Sequence, residues 1–262
     1  MTLWETVRTA FESLAENKLR TILTMLGVII GVMSVVTLLA VGNGVSNYIG
    51  SQFSGLGAKQ ITISNDNRVA NARLTIVDLE ALQDKLAAPD LMRVVPVVNG
   101  NLRVSAGVNQ RSVSVVGTNN DYFGLRNTAL QEGAFFASDD LDARARVAVL
   151  GGGIAETLFP QGGSLGQTIL VDAVPFRVIG VLVKQGGFGP NTGDDNVHVP
   201  LTVAQEKLFT RRAGGSKALS QIYAELSSAE RSTAAAEQIT TILRQRHNLL
   251  AGQNDDFRIF NQ

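Results

Sequence analysis

Hydrophobic and polar positions separate this chain into a long apolar stretch and a patterned remainder. From Thr21 to Gly42 the sequence TILTMLGVIIGVMSVVTLLAVG is interrupted only by Thr, Ser and Gly, and no charged residue occurs between Arg20 and Lys59. Wound as a helix, the stretch rises ~33 Å, matching the ~30 Å hydrocarbon core of a bilayer. Its hydroxyls can bond back to the helix's own carbonyls, so lipid tolerates them. The pattern predicts one transmembrane helix bounded by Thr21 and Gly42. A buried core helix seldom runs so far without a charge. A cleaved signal peptide would need a short basic start and a shorter apolar stretch. Ala40-Val41-Gly42 could pass for its cleavage site, but amphipathic residues fill the first twenty positions and the apolar stretch is too long. The segment is expected to remain as an anchor.

The flanks set its direction. Lys18 and Arg20, with Arg8, stand before the apolar stretch, and the first basic residue after it is Lys59. A basic flank stays in the cytoplasm, so everything beyond Gly42 is expected outside. Leu3, Val7, Phe11 and Leu14 recur at helical spacing beside Trp4, with Glu5, Arg8, Glu12 and Glu16 mostly opposite. Residues 1–20 therefore read as an amphipathic helix lying along the inner membrane face. Gly27 and Gly31 form a small-xxx-small pair, a candidate site for close helix packing, although two glycines also fall four apart by chance. Val45, Ile49 and Phe53, with Tyr48, carry the helical stripe past the membrane until the glycines of SGLGAK. The membrane helix and its extension are placed at 21–58.

From Lys59 the periodicity changes. KQITIS alternates as a strand does. Thr75-x-x-Asp78 caps a helix whose Leu79, Leu82 and Leu86 face one way, closed by Pro89. VVPVV, LRVSAG and RSVSVVGT read as three strands separated by short polar turns. RVAVLG is a further strand, followed by the short helix IAETLF ending at Pro160. QTILVDAVPFRVIGVLVK reads as a hairpin turning at Asp172–Pro175. NVHVP is a short strand, Thr202–Phe209 a short helix, and QIYAELS another strand. A helix from about Glu230 to Arg246 carries Ile239, Ile242 and Leu243 on one face, and DFRIF is a last strand. GGFGPNTGDDN, ending at Asn196, reads as a mobile loop. The first and last β-α pairs bracket a strand-rich middle, which predicts an α+β domain over 59–262 with a mostly β insertion, not an alternating parallel sheet.

Charge and composition narrow the chemistry. The chain has 23 basic and 23 acidic residues, so it offers no electrostatic footprint for nucleic acid. With no cysteine there is no disulfide framework, thiolate nucleophile or cysteine-bound metal. VAVLGGGIAETLF has the outline of a dinucleotide-binding turn. With Gly151 and Gly153 as the first two glycines, however, the third position is Glu156, so the glycines read as a turn. No G-x-x-x-x-G-K-S/T occurs, so no ATPase is expected in this chain. His198 and His247 are the only histidines and lack zinc-site spacing. Asp194-Asp195 and Asp255-Asp256 have too few ligands for a calcium loop and read as solvated turns. Asp139, Asp140 and Asp142, beside Arg144 and Arg146, read as a solvated loop with local ion pairs. No serine lies in a G-x-S-x-G elbow. Catalytic, cofactor and metal sites are all expected to be absent, and the chain is not expected to be an enzyme.

The blocks NKLRTILTMLGVIIGVMSVVTLLAVGNG, VVGTNNDYFGLRNTALQEGAFF, ARVAVLGGGIAETLFPQGGSLGQTILVDAVPFRVIGVLVKQGG and LRQRHNLLAGQNDDFRIFNQ resemble, in order and spacing, MacB/FtsX-type ABC transporter permeases. The likeness runs from the first membrane segment through the MacB-like periplasmic core domain and spans essentially the whole chain. It implies a porter-like α+β unit, about 59–110 and 220–262, holding an inserted subdomain at about 111–219. It also implies a permease of four membrane helices, with the outer domain between the first and second. Such permeases work as a homodimer or with a paralogous permease, on a cytoplasmic ABC ATPase; ATP would be bound by that separate subunit. They relay ATP-driven closure to the outer domain (mechanotransmission), and in tripartite pumps that domain meets a periplasmic adaptor protein. The expected role is the N-terminal portion of an export or efflux permease in the inner membrane. An FtsX-type permease controlling cell-wall hydrolases and a lipoprotein-release permease are alternatives, and a single-pass anchored enzyme is a further class. The family's later helices are expected after Gln262 and no fused ATPase precedes Met1, so a fragment or a truncated reading frame is expected.

Overall fold

The structure is a computed structural model that describes residues 4, 18–54, 59–66, 68–69, 73–186, 193–213 and 215–261, with the backbone alone at 45–54. Most of the expected amphipathic helix at 1–20, the glycines at 55–58 and the loop at 187–192 lie outside the described residues. The chain divides into two compact units, Met1–Gly55 and Leu56–Gln262.

The first unit is helix α1, Lys18–Ser54. Its 37 residues rise ~55 Å, well beyond a bilayer's hydrocarbon core. No proline interrupts it and no charge follows Arg20, so nothing local breaks the hydrogen-bond ladder. The large apolar side chains from Ile22 to Val41 are all more than half exposed. In water that much apolar surface would be strongly unfavourable; in lipid it is the stable arrangement.

The second unit begins with a split βαβ arrangement. Strand β1 (Gln60–Asn65) is followed by β2 (Leu74–Thr75), helix α2 (Ile76–Gln83) and the long strand β3 (Leu91–Ala106). Near the end of the chain, β12 (Gln221–Leu226), α7 (Ser232–Arg246) and β13 (Phe257–Asn261) repeat the motif. The four main strands lie in the order β13-β1-β12-β3 and each neighbouring pair is antiparallel. That order and connectivity define a ferredoxin-like fold. Leu79 and Leu82 of α2 and Ala235, Ile239 and Leu243 of α7 pack with Ile61, Ile63, Ile222 and Ala224 of the sheet in one core.

Between β3 and β12 the chain builds a second structure: β4 (Asn109–Thr118), α3 (Asp121–Leu125), β5 (Leu130–Gly133), α4 (Ser138–Asp142), β6 (Val147–Leu150), α5 (Gly152–Leu158), β7 (Thr168–Val171), β8 (Val174–Leu182), β9 (Val197–Pro200), α6 (Leu201–Val203), then β10 (Arg212–Ala213) and β11 (Ser216–Leu219). Pairing runs β3-β4-β9-β6-β8, and β7 joins β8 back to β3, so six strands close on one another. Phe176, Ile169, Val171, Val115 and Leu150 are fully buried, each large side chain contributing about 2 kcal/mol of apolar burial. Closure leaves few exposed sheet edges. A small sheet of β10, β11 and β2 lies beside it.

Strand β3 departs from the sequence reading. VVPVV and LRVSAG are not two strands with a turn at Asn99–Asn101; they are one strand that changes partner. Val97 pairs with Gln221 of β12, whereas Val98 pairs with Gly117 of β4. The polar NGN segment stays extended because Asn99 N–H donates to the Ser220 hydroxyl at 3.0 Å and the Phe209 ring lies over Gly100. A Cβ on Gly100 would stand 2.7 Å from that ring. Glycine therefore marks a close approach here, not a turn. The expected β7–β8 hairpin is present, but its turn is tightened to Asp172 and Ala173, both at positive φ, with Val171 opposite Val174.

Candidate functional site

In α1 the candidate residues fall on a helix whose large apolar side chains from Ile22 to Val41 are exposed. Lys18 and Arg20 are exposed at its start, and Thr21 opens the apolar stretch that reaches Gly42. Thr24 donates to the carbonyls of Arg20 and Thr21, each at 3.0 Å, and Ser34 donates to Ile30 O at 2.7 Å. The Thr24 and Ser34 hydroxyls are thus satisfied within the helix, as a lipid setting requires. Gly27 and Gly31 lie one turn apart, and a Cβ built on either meets nothing within 4 Å. The described residues leave that face open.

The second unit, called the outer unit from the side of the membrane expected for it, contains a polar network that the sequence did not reveal. Asp78, in the first turn of α2, receives Thr75 N–H at 2.9 Å and the Thr75 hydroxyl at 2.7 Å, completing the expected cap. The same carboxylate accepts Arg246 Nε at 2.9 Å and lies 3.3 Å from His247 Nε2. His247 Nδ1 lies 2.7 Å from Asp256, just before β13. Burial alone would raise the Asp78 carboxyl, but the close contact with His247 and the hydrogen bonds from Thr75 and Arg246 outweigh it and hold it well below the usual carboxylate range. The bond to Asp78, opposed by burial and reinforced by Asp256, pushes His247 up to about 9. His247 is therefore a cation at neutral pH, fixed where α7 ends, where its charge also favours the carbonyl ends of the helix. The network ties the start of α2, the end of α7 and the approach to β13 together. Thr75-x-x-Asp78 was legible as a cap, but partners so distant along the chain leave no local signal.

Other singled-out residues have structural surroundings. His198 in β9 is buried against Tyr122 and Phe123, with ring centroids 5.4 Å away in each case. Burial pushes its pKa down to about 4, so it is neutral. Of the three glycines read as a turn, Gly151 alone joins β6 to α5, and Gly152 and Gly153 open the helix itself. The short turn at Gly193–Asp195 packs on them: a Cβ on Gly153 would stand 2.9 Å from Asp195 Oδ1, and one on Gly151 would overlap the Asp194 carbonyl. The aspartate pairs are corrected from solvated turns to anchored ones. Asp194 accepts Gln185 and Gly186 N–H at 2.8 and 2.9 Å, Asp195 pairs with Arg111 at 3.2 Å, and Asp255 pairs with Arg244. Asn196, with the Gly193–Asp195 turn, is likewise held in place, since its carbonyl accepts Gly151 N–H at 2.8 Å. The acidic cluster at 139–142 is a short helix in which Asp140 accepts Ala137 N–H at 2.8 Å. Among the described residues no group of His, Asp and Glu could hold a metal ion.

A long apolar helix with a basic start, followed by a split βαβ fold with a closed β insertion, can be matched against known proteins. Residues 21–242 match the family described as the MacB-like periplasmic core domain. The chain belongs to this family. It is a MacB/FtsX-type permease sequence of the ABC transporter class, with a membrane segment and an extracytoplasmic MacB-like core domain. A macrolide export ATP-binding/permease protein MacB of Chlorobaculum tepidum is 32% identical over 260 residues, covering 95% of this chain and 39% of that protein. A pyoverdine export ATP-binding/permease protein PvdT of Pseudomonas aeruginosa is 36% identical over 211 residues, covering 80% of this chain and 32% of that protein. The chain thus spans about two fifths or less of these curated relatives. The periplasmic region of MacB from Actinobacillus actinomycetemcomitans superposes with a TM-score of 0.66 at 24% identity, over 79% of this chain and 91% of that one. The extracellular domain of the transporter YknZ from Gram-positive bacteria gives 0.62 at 18% identity, over 77% of this chain and all of that one. Both likenesses establish the MacB-like fold of the outer unit.

Proposed function

We propose that this chain is the first-helix and outer portion of a MacB-type export permease that relays ATP-driven motion from the cytoplasmic face to the extracytoplasmic domain. The observation that carries this reading is the unbroken helix Lys18–Ser54, which continues beyond the apolar stretch ending at Gly42. A helix that no proline interrupts, and that runs on as helix through Gly44 and Gly50, moves as a rod, so displacement at its basic end reaches its far end. The basic flank of Lys18 and Arg20 supports a cytoplasmic start for the helix in an inner-membrane protein. ATP is bound and hydrolysed by the ABC ATPase of the assembly, and the part played by residues 18–261 is mechanical. Gly27 and Gly31 supply a face for a neighbouring helix, from a second copy or a paralogous permease.

The test uses the full-length gene with a tag at its N-terminus. Purification from native membranes is expected to recover an ABC ATPase together with an extracytoplasmic adaptor. Recovery of the ATPase with a cell-wall hydrolase would favour the FtsX-type regulatory role, and recovery with lipoprotein cargo the release role. Absence of any ATPase would overturn the permease reading. In the same full-length protein, Val45→Pro is expected to abolish export while the ATPase stays bound, because an interior proline costs ~3 kcal/mol and kinks the helix. Unchanged export would contradict the relay.

A further inference from the structure

The outer unit contains a cleft of ≈ 710 Å³ where β3 passes from the split βαβ sheet into the closed insertion. Its size falls in the range of small-molecule sites. Leu102, Leu208 and Phe209 supply apolar surface, and Arg73, Arg211 and Arg258 bring three guanidinium groups to the same space. Among the described residues no aspartate or glutamate lines it. That concentration of one sign is local, since the chain as a whole is neutral. The nearby carboxylate Asp66 feels Arg258 but is already engaged by Arg68, through bonds of 3.0, 3.1 and 2.7 Å. Neither Arg211 nor Arg258 is ion-paired among the described residues; Arg258 instead lies 5.5 Å over the Phe260 ring. Gly100 lets the Phe209 ring lie directly on β3, which builds the apolar surface beside the cations.

We propose that this cleft binds a small organic anion with an apolar body, its carboxylate, phosphate or sulfate held by Arg211 and Arg258 and its body against Phe209. Guanidinium groups recognise such oxyanions through paired hydrogen bonds, and the aromatic surface selects against bare inorganic ions. The cleft takes residues from both the split βαβ part and the insertion, so a bound anion bridges them across the β3 crossing. The proposal stands on the cleft itself and does not depend on the relay described above.

The experiment titrates 4-phenylbutyrate into the full chain in nanodiscs of zwitterionic lipid by calorimetry, with empty nanodiscs as the reference for partitioning. Saturable binding is expected. The Arg211→Gln/Arg258→Gln pair should weaken it by about tenfold or more, the loss expected when charge-assisted hydrogen bonds are removed. Phe209→Ala should weaken it too, and Arg103→Gln, at an exposed arginine of β3 outside the cleft, should leave it unchanged. Circular dichroism melting of each variant separates loss of binding from loss of fold. The neutral 4-phenylbutanamide and inorganic phosphate should each bind about tenfold more weakly or worse. Absence of saturable binding, equal binding of the amide or of phosphate alone, or indifference to the double arginine change in a folded variant would each overturn the proposal.

Discussion

In α1, Leu26, Ile29 and Ile30 are more than half exposed, whereas in the outer unit Ile61, Leu91 and Phe176 are fully buried. The same apolar residue types are treated in opposite ways, and so are the charges. Helix α1 carries none after Arg20, while the outer unit draws its buried Asp78 and Asp90 to Arg246, His247 and Arg231. The difference tells where each part belongs. A helix that exposes apolar surface all round and satisfies its hydroxyls internally is matched to lipid. A unit that buries its apolar residues in a core and pairs its buried carboxylates is matched to water.

The contrast can be broken most severely at Asp78. Asp78→Ala leaves Arg246 and His247 without their shared partner and removes the α2 cap. It should destabilise the outer unit by about 4 kcal/mol, roughly 3 from the broken pair and about 1 from the cap; urea denaturation followed by circular dichroism measures it. In α1 the corresponding injury is a charge. Val32→Arg, midway between Thr21 and Gly42, should cost about 3 kcal/mol of membrane insertion and leave the outer unit's fold unchanged. Glycosylation-site mapping in microsomes reads the inserted fraction.

A smaller effect is pH-dependent. The folded pKa of His247 lies above its ordinary 6.5, at about 9. Its stabilising contribution is therefore fully present below pH 6.5 and is lost as pH rises through 9. After allowance for solvent screening, the outer unit should lose about 1 kcal/mol across that window, and His247→Gln should abolish the slope. Asp78 has the opposite sense: its contribution is present above its ordinary 3.8 and fades as acid protonates it. The smallest effect sharpens the contrast. Leu86 is 94% exposed in the outer unit, yet Leu86→Ser should change stability by no more than about 0.5 kcal/mol. A single exposed leucine in water carries little weight; a whole helix surface of them defines an anchor.

These regions were also unequally legible. Helix α1 could be read from residues 18–54 because its determinants are local: length, absence of charge and a basic flank. Most strands and helices of the outer unit were legible for the same reason, including the Thr75–Asp78 cap and the helix ending at Arg246. What stayed hidden depended on distant partners. Nothing near Asn99–Asn101 states that β3 exchanges β12 for β4 there, because the cause is Phe209 and Ser220 arriving from elsewhere. Nothing near Asp78 announces Arg246 and His247, nor does Gly153 announce the Gly193–Asp195 turn lying against it. The three arginines of the cleft come from three separated segments and form no motif.

The central requirement of the relay is that α1 carries the chain from the cytoplasm to an extracytoplasmic outer unit. The chain has no cysteine, so single cysteines can report each side without background. Asn17→Cys and Leu86→Cys would be exposed in turn to a membrane-impermeant maleimide in intact cells and after lysis. The account predicts labelling of Leu86→Cys in intact cells and of Asn17→Cys only after lysis. Labelling of Asn17→Cys in intact cells with Leu86→Cys protected would contradict it.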